Sequence, residues 1–102
     1  MTDLEKTRLC AEAMGIPVEL NSLKTGFWMP AFPNAVAHVK DYDPLHDKAQ
    51  AFELAERLRI GISPPSVDGG LWGANGDYGG CIGDTLARAI VECAAKMQAA
   101  KK

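Results

Sequence analysis

Seven glycines, at positions 69, 70, 73, 76, 79, 80 and 83, leave bare a stretch whose only aromatic rings are Trp72 and Tyr78. Residues 64–83 read as a glycine-rich loop that runs into a helix beginning near Asp84. Glycine permits tight turns and close approach, and ordering so bare a segment costs much entropy, so a mere connection would be shorter. The chemistry this composition suits is recognition. Trp72, Tyr78 and Trp28 can stack on a flat ligand. Asn75 can read a polar edge, and Arg88 can meet a phosphate beside the backbone of Gly79 and Gly80. A glycine loop leading into a helix N-terminus also suits anions. Here, however, Gly73, Gly76 and Gly79 lie three apart and not in GxGxxG order, and no Gly-Lys-Ser/Thr follows. Asp77 and Asp84 oppose an anion as well. An irregular surface loop with a packed Trp72 weighs as much as all the functional readings together.

A second cluster, His38, Asp41, Asp43, His46 and Asp47, holds the imidazoles and carboxylates that bind zinc or another divalent ion. Asp43 is better explained as a helix N-cap, with His46 and Asp47 as polar first-turn residues, so no metal or cofactor is expected. Cys81 follows two glycines near a helix start, a setting that lowers a thiol pKa, but no local signature joins it to His38 or His46. The chain reads as a binding protein and not as an enzyme.

The elements that must position these residues are helices flanking short strands. Thr2 with Glu5 makes a capping box for a helix over 3–14, which shows Leu4, Thr7, Ala11 and Met14 on one side with Cys10 beside it. Gly15 supplies a left-handed C-cap. Residues 16–20 fit a short strand and 21–26 a turn. Residues 27–32 are apolar, but Pro30 bars an uninterrupted central strand, and 35–39 return as the second strand of a hairpin-like unit. Asp43-Pro44 caps and opens a second helix, with Leu45, Ala49, Phe52, Ala55 and Leu58 at spacings of three and four and Arg57 and Arg59 in the last turn. Residues 60–63 give a strand stopped by Pro64-Pro65, and 70–74 a further one within the long loop. A third helix runs from about Thr85 to Ala99, capped by Asp84, with a seam of Leu86, Ile90, Cys93 and Met97 widened by Ala87 and Ala94. The expected fold is α+β: three helices packed on a small, mainly antiparallel sheet, as one sandwich-like domain over 1–102.

Composition narrows the partners. The net charge is −2 with a pI near 5.6, which gives no electrostatic reason to bind a nucleic-acid polymer. An apolar fraction of 47% with 24% charged residues is that of a folded globular protein. No apolar run nears the roughly 20 residues that span a bilayer, and the start, MTDLEKTRLCAEAMG, lacks a basic then apolar signal segment, so a cytoplasmic place is expected. Three cysteines without a CxxC spacing do not form a disulfide framework; Cys10 and Cys93 suit helix interiors as small apolar fillers.

The opening DLEKTRLCAEAMG (3–15), the segment YDPLHDKAQAFELAERLRIGI (42–62) and the ending LARAIVECAAKM (86–97) together resemble small phage and prophage proteins of the phage ABA sandwich type. The features that match are Met14-Gly15, Tyr42 to Pro44, Arg57 to Ile62, and Ala89, Ile90 and Cys93. The resemblance implies a phage origin and a sheet between helices, and it assigns no catalytic residue. Joined to the loop composition, it leads to two expectations. One is a phage protein that sequesters a small host nucleotide signal and so antagonises bacterial defence, using Trp72, Asn75, Tyr78, Gly79, Gly80, Arg88 and Trp28. A symmetric homo-oligomer would enclose that ligand between copies of the loop. The other is a protein-interaction module that presents Phe27, Trp28, Met29, Phe32 and Trp72 to a host or virion protein.

Overall fold

A computed structural model describes residues 2–21, 25–30, 39–66, 70–76 and 79–101. The order is α1 (Asp3–Met14), β1 (Glu19–Leu20), β2 (Phe27–Pro30), β3 (Val39–Tyr42), α2 (Lys48–Leu58), β4 (Gly61–Ser63), β5 (Trp72–Gly76), β6 (Gly79–Gly83) and α3 (Leu86–Ala100). The fold is α+β as expected, but the strands form two antiparallel sheets of three, β1-β2-β3 and β4-β5-β6.

The first and third helices follow their local signals. Thr2 Oγ1 accepts from the Glu5 amide at 3.1 Å, and Gly15 closes α1 at φ 70° with its N–H on the Glu12 carbonyl. In α3, Ile90, Cys93, Met97, Ala87 and Ala94 are buried, and so are Ala89, Val91 and Ala95. The wider burial follows from position, because α1, α2, β5 and β6 all pack on α3. Its cap is Thr85 and not Asp84: Thr85 Oγ1 accepts from the Arg88 amide at 3.1 Å.

The second helix departs from expectation. Asp43-Pro44 opens a single turn, with the His46 and Asp47 amides donating to the Asp43 carbonyl, and the helix proper starts afresh at Lys48. Its cap is Asp47, which accepts from the Ala49 and Gln50 amides. Gln50 holds the turn to the strand before it: Oε1 accepts from the Asp43 amide at 2.6 Å, and Nε2 donates to the Asp41 carbonyl at 2.9 Å. The buried face is Ala51, Leu54 and Ala55, while Ala49 and Phe52 point to solvent, because the side that meets α3 is one position round from the expected one. Arg59 ends the helix in the left-handed region at φ 55°.

In the first sheet β2 lies at the centre, although it contains Pro30. The proline is harmless there because it is the last residue of the strand and pairs with Val39 alone, beyond the two residues of β1. The returning strand is Val39–Tyr42; residues 35–38 lie outside the described residues. Alternation buries Phe27, Met29 and Tyr42 and leaves Trp28 exposed.

The largest difference is at 64–83. What reads as a loop with one strand over 70–74 holds an antiparallel pair, β5 two residues further on and the unforeseen β6, joined on its other side to β4. Glycine weakens strands by itself, so this ladder depends on what packs against it.

Candidate functional site

The register of β5 and β6 decides which residues can act together. Trp72 pairs with Gly83, Gly73 with Ile82, Ala74 with Cys81, Asn75 with Gly80 and Gly76 with Gly79. Side chains alternate along a strand, so Trp72, Ala74, Gly76, Cys81 and Gly83 share the face toward α3. Gly73, Asn75, Gly80 and Ile82 share the outer face.

On the inner face the glycines let the helix come close. A Cβ on Gly83 would lie 2.7 Å from both the Ala89 backbone nitrogen and Arg88 Cγ. On Gly76 it would lie 2.5 Å from Met97 Sδ and 3.1 Å from Cys93 Sγ. Neither residue has the positive φ that would itself demand glycine, so the requirement is steric. These positions are kept bare for the protein's own helix. Trp72 is half-buried and packs against the core from the same side.

The residues expected to form a ligand site are not brought onto one surface. Asn75 is exposed on the outer face, opposite in sense to Trp72, with its Oδ1 lying over the bare backbone of Gly80. Gly79 pairs with Gly76 on the helix side. Arg88, on the first turn of α3, grips Asp3 of α1 with both nitrogens, Nη1 to Oδ1 at 2.7 Å and Nη2 to Oδ2 at 3.2 Å. That donation holds the Asp3 carboxyl below its ordinary pKa, and Asp3 in turn raises Arg88. Beside it Lys6 pairs with Glu92, so α1 and α3 are pinned by two cross-helix ion pairs. Trp28 belongs to the other sheet, and Tyr78 lies outside the described residues. Of the surface expected to dock a protein, Phe27 and Met29 are core residues and Phe32 lies outside the described residues.

The acidic cluster also divides. His46 Nδ1 lies 2.7 Å from Asp43 Oδ2, both near the surface, and Asp47 is engaged as a cap. His38 lies outside the described residues. Among the described residues no group of three His, Cys, Asp or Glu side chains converges as a metal site would. Cys81 is half-buried at a shallow cavity of about 420 Å³ shared with Lys6, Glu92 and Lys96, whereas His46 lines a different cavity with Asp3, Asp41 and Asp43. Cys10 and Cys93 are buried, and burial pushes the Cys10 thiol up to about 12.

Two residues that the sequence reading passed over stand out on the hairpin. Ile82 is 65% exposed on the outer face, and Leu71, just before β5, is 51% exposed, the highest values among the large exposed apolar residues described. The alternation Cys81-in, Ile82-out was the signal, hidden by reading GGCIG as loop.

These features define an α+β domain with one sheet covered by a helix and its other face bare. No protein-family model, curated protein or solved structure matches the chain. No described helix is long and apolar enough to cross a membrane.

Proposed function

We propose that this chain is a phage-encoded, non-catalytic protein-interaction module, and that it docks an extended segment of a host or virion protein on the outer side of the β4-β5-β6 sheet. One observation carries the reading: Ile82, the most exposed large aliphatic side chain described, lies opposite Gly73 on a sheet face otherwise made of Gly61, Ser63, Asn75 and Gly80, with Leu71 exposed just before β5. Such a face lets a partner's backbone lie close while two aliphatic side chains supply apolar area. The adjoining edge strand β6 carries no charge and no proline, the usual devices that discourage strand addition.

The alternative, capture of a host nucleotide, needs Trp72, Asn75 and Arg88 on one surface; the alternation of β5 and the Asp3–Arg88 ion pair weigh against it. The test is selection from a displayed random-peptide library, followed by affinity measurement. Enriched peptides should alternate apolar and polar residues, and Ile82→Lys should weaken them about tenfold or more, as loss of an interface anchor does. Trp28→Ser should leave them unchanged. Peptides that bind equally to the Ile82→Lys protein contradict the assignment.

A further inference from the structure

We propose that Cys81 and Cys93 form a redox pair, which a small disulfide of the glutathione type oxidises to an internal disulfide fastening α3 to β6. The helix runs back along the hairpin. At one end Gly83 meets Ala89, where an added Cβ would lie 2.7 Å from the backbone nitrogen. At the other end Gly76, the ladder partner of Gly79, meets Met97 and Cys93. Four steps along β6, Gly79 to Gly83, cover about 13 Å. Eight steps along α3, Ala89 to Met97, cover about 12 Å. Strand and helix therefore keep step, and the middle of one faces the middle of the other. Those middle residues are Cys81 and Cys93.

Both thiols lie on the facing sides. Cys81 shares the inner face of β6 with Gly83 and pairs with the buried Ala74. Cys93 is buried on α3, its sulfur 3.1 Å from where a Cβ on Gly76 would stand. The bare positions 76, 79 and 83 let the helix approach as closely as a disulfide needs, with Cα atoms roughly 4.4–6.8 Å apart. Burial first, and then the nearby Cys81, push the Cys93 thiol up, so the two sulfurs sense each other.

Access falls to Cys81. It is half-buried at the cavity of about 420 Å³ that Ala95, Lys96 and Ala99 also line, a volume that admits one arm of a small disulfide. The exposed Lys96 ammonium stands there to meet a carboxylate of the incoming molecule. The Cys81 thiolate attacks one sulfur of the small disulfide, forms a mixed disulfide and releases one thiol. Cys93 then gives its proton to solvent and attacks the Cys81 sulfur, releasing the second thiol. The protein loses two electrons and two protons, and the small disulfide leaves as two thiols. Cys10 stays out of the exchange: it is buried, and its Sγ donates to the Val91 carbonyl at 3.8 Å.

The test incubates the reduced, folded chain with oxidised glutathione, then counts thiols and maps the links by mass spectrometry. The thiol count should fall from three to one, with Cys81 joined to Cys93 and Cys10 still reduced. Cys93→Ala should stop at the mixed disulfide and keep one glutathione on Cys81. Cys81→Ala should neither take up glutathione nor close a link. A wild-type chain that keeps glutathione on Cys81, links two copies through Cys81, or does not react overturns the proposal.

Discussion

The first sheet turns Phe27, Met29 and Tyr42 toward the interior, whereas the second turns Ala74 and the glycines at 76 and 83 toward α3. In the first, side chains fill the space between layers. In the second there is little space to fill, because the backbone of α3 comes close at Gly83 and the side chains of Met97 and Cys93 lie against Gly76. The two sheets should therefore respond oppositely to volume: one suffers when atoms are removed, the other when they are added. Glycine abundance in β5 and β6 is then first a packing device.

The strongest way to break this comparison is to empty the first sheet. Phe27→Ala removes a ring that is 3% exposed and over which the Arg8 guanidinium sits at 5.8 Å. A loss of about 3–5 kcal/mol is expected in urea unfolding. In the second sheet the corresponding change adds a methyl. Gly76→Ala should cost about 1–3 kcal/mol by crowding Met97 and Cys93. Because the clash is with the Met97 sulfur, part of that loss should vanish in a Met97→Ala background, with a coupling of about 1 kcal/mol in the double-mutant cycle.

A smaller test concerns backbone and not volume. α1 and α2 end in the same left-handed conformation, at Gly15 and Arg59. Only the first uses the residue suited to it, so Arg59→Gly should gain about 0.5–1 kcal/mol by the same unfolding measurement.

Charge should matter least. Asp3→Asn breaks an exposed ion pair with Arg88 and should cost under about 1 kcal/mol. The Asp3 carboxyl titrates below its ordinary value when folded, so the pair's contribution is fully present above about pH 4 and is lost as acid protonates it. The difference in urea midpoint between wild type and Asp3→Asn should shrink on going from pH 7 toward pH 2, and at pH 7 it should shrink with added salt.

How much of this was legible in the sequence depended on where the deciding interaction lies. Thr2, Gly15 and the Ile90–Cys93–Met97 seam act within one or two turns, and they mark α1 and α3 from the chain alone. At the start of α2 Asp43 reads as the cap and Asp47 as a first-turn residue, yet Asp47 caps the helix, while the Gln50 amide ties Asp43 and Asp41 across an irregular turn that no local pattern announces. Pro30 argued against a central strand, yet it is tolerated because β1 is too short to face it. The hairpin was the least visible element. Its residues have poor strand propensity, and what makes them a strand pair is the passage of α3 along them, with Met97 reaching Gly76 from 21 residues further along the chain. The same distance hid the commitment of Arg88, whose partner Asp3 stands at the other end of the chain.

The most direct measurement compares two alanine substitutions on opposite faces of the second sheet. Gly83→Ala meets the Ala89 backbone at 2.7 Å, while Gly73→Ala meets Ser63 Cβ at 3.4 Å on the open side. Urea unfolding should show Gly83→Ala destabilised by about 2–3 kcal/mol and Gly73→Ala within about 0.5 kcal/mol of wild type. Equal tolerance of both, or a greater loss at Gly73, would contradict the claim that these glycines exist to let α3 lie against the sheet.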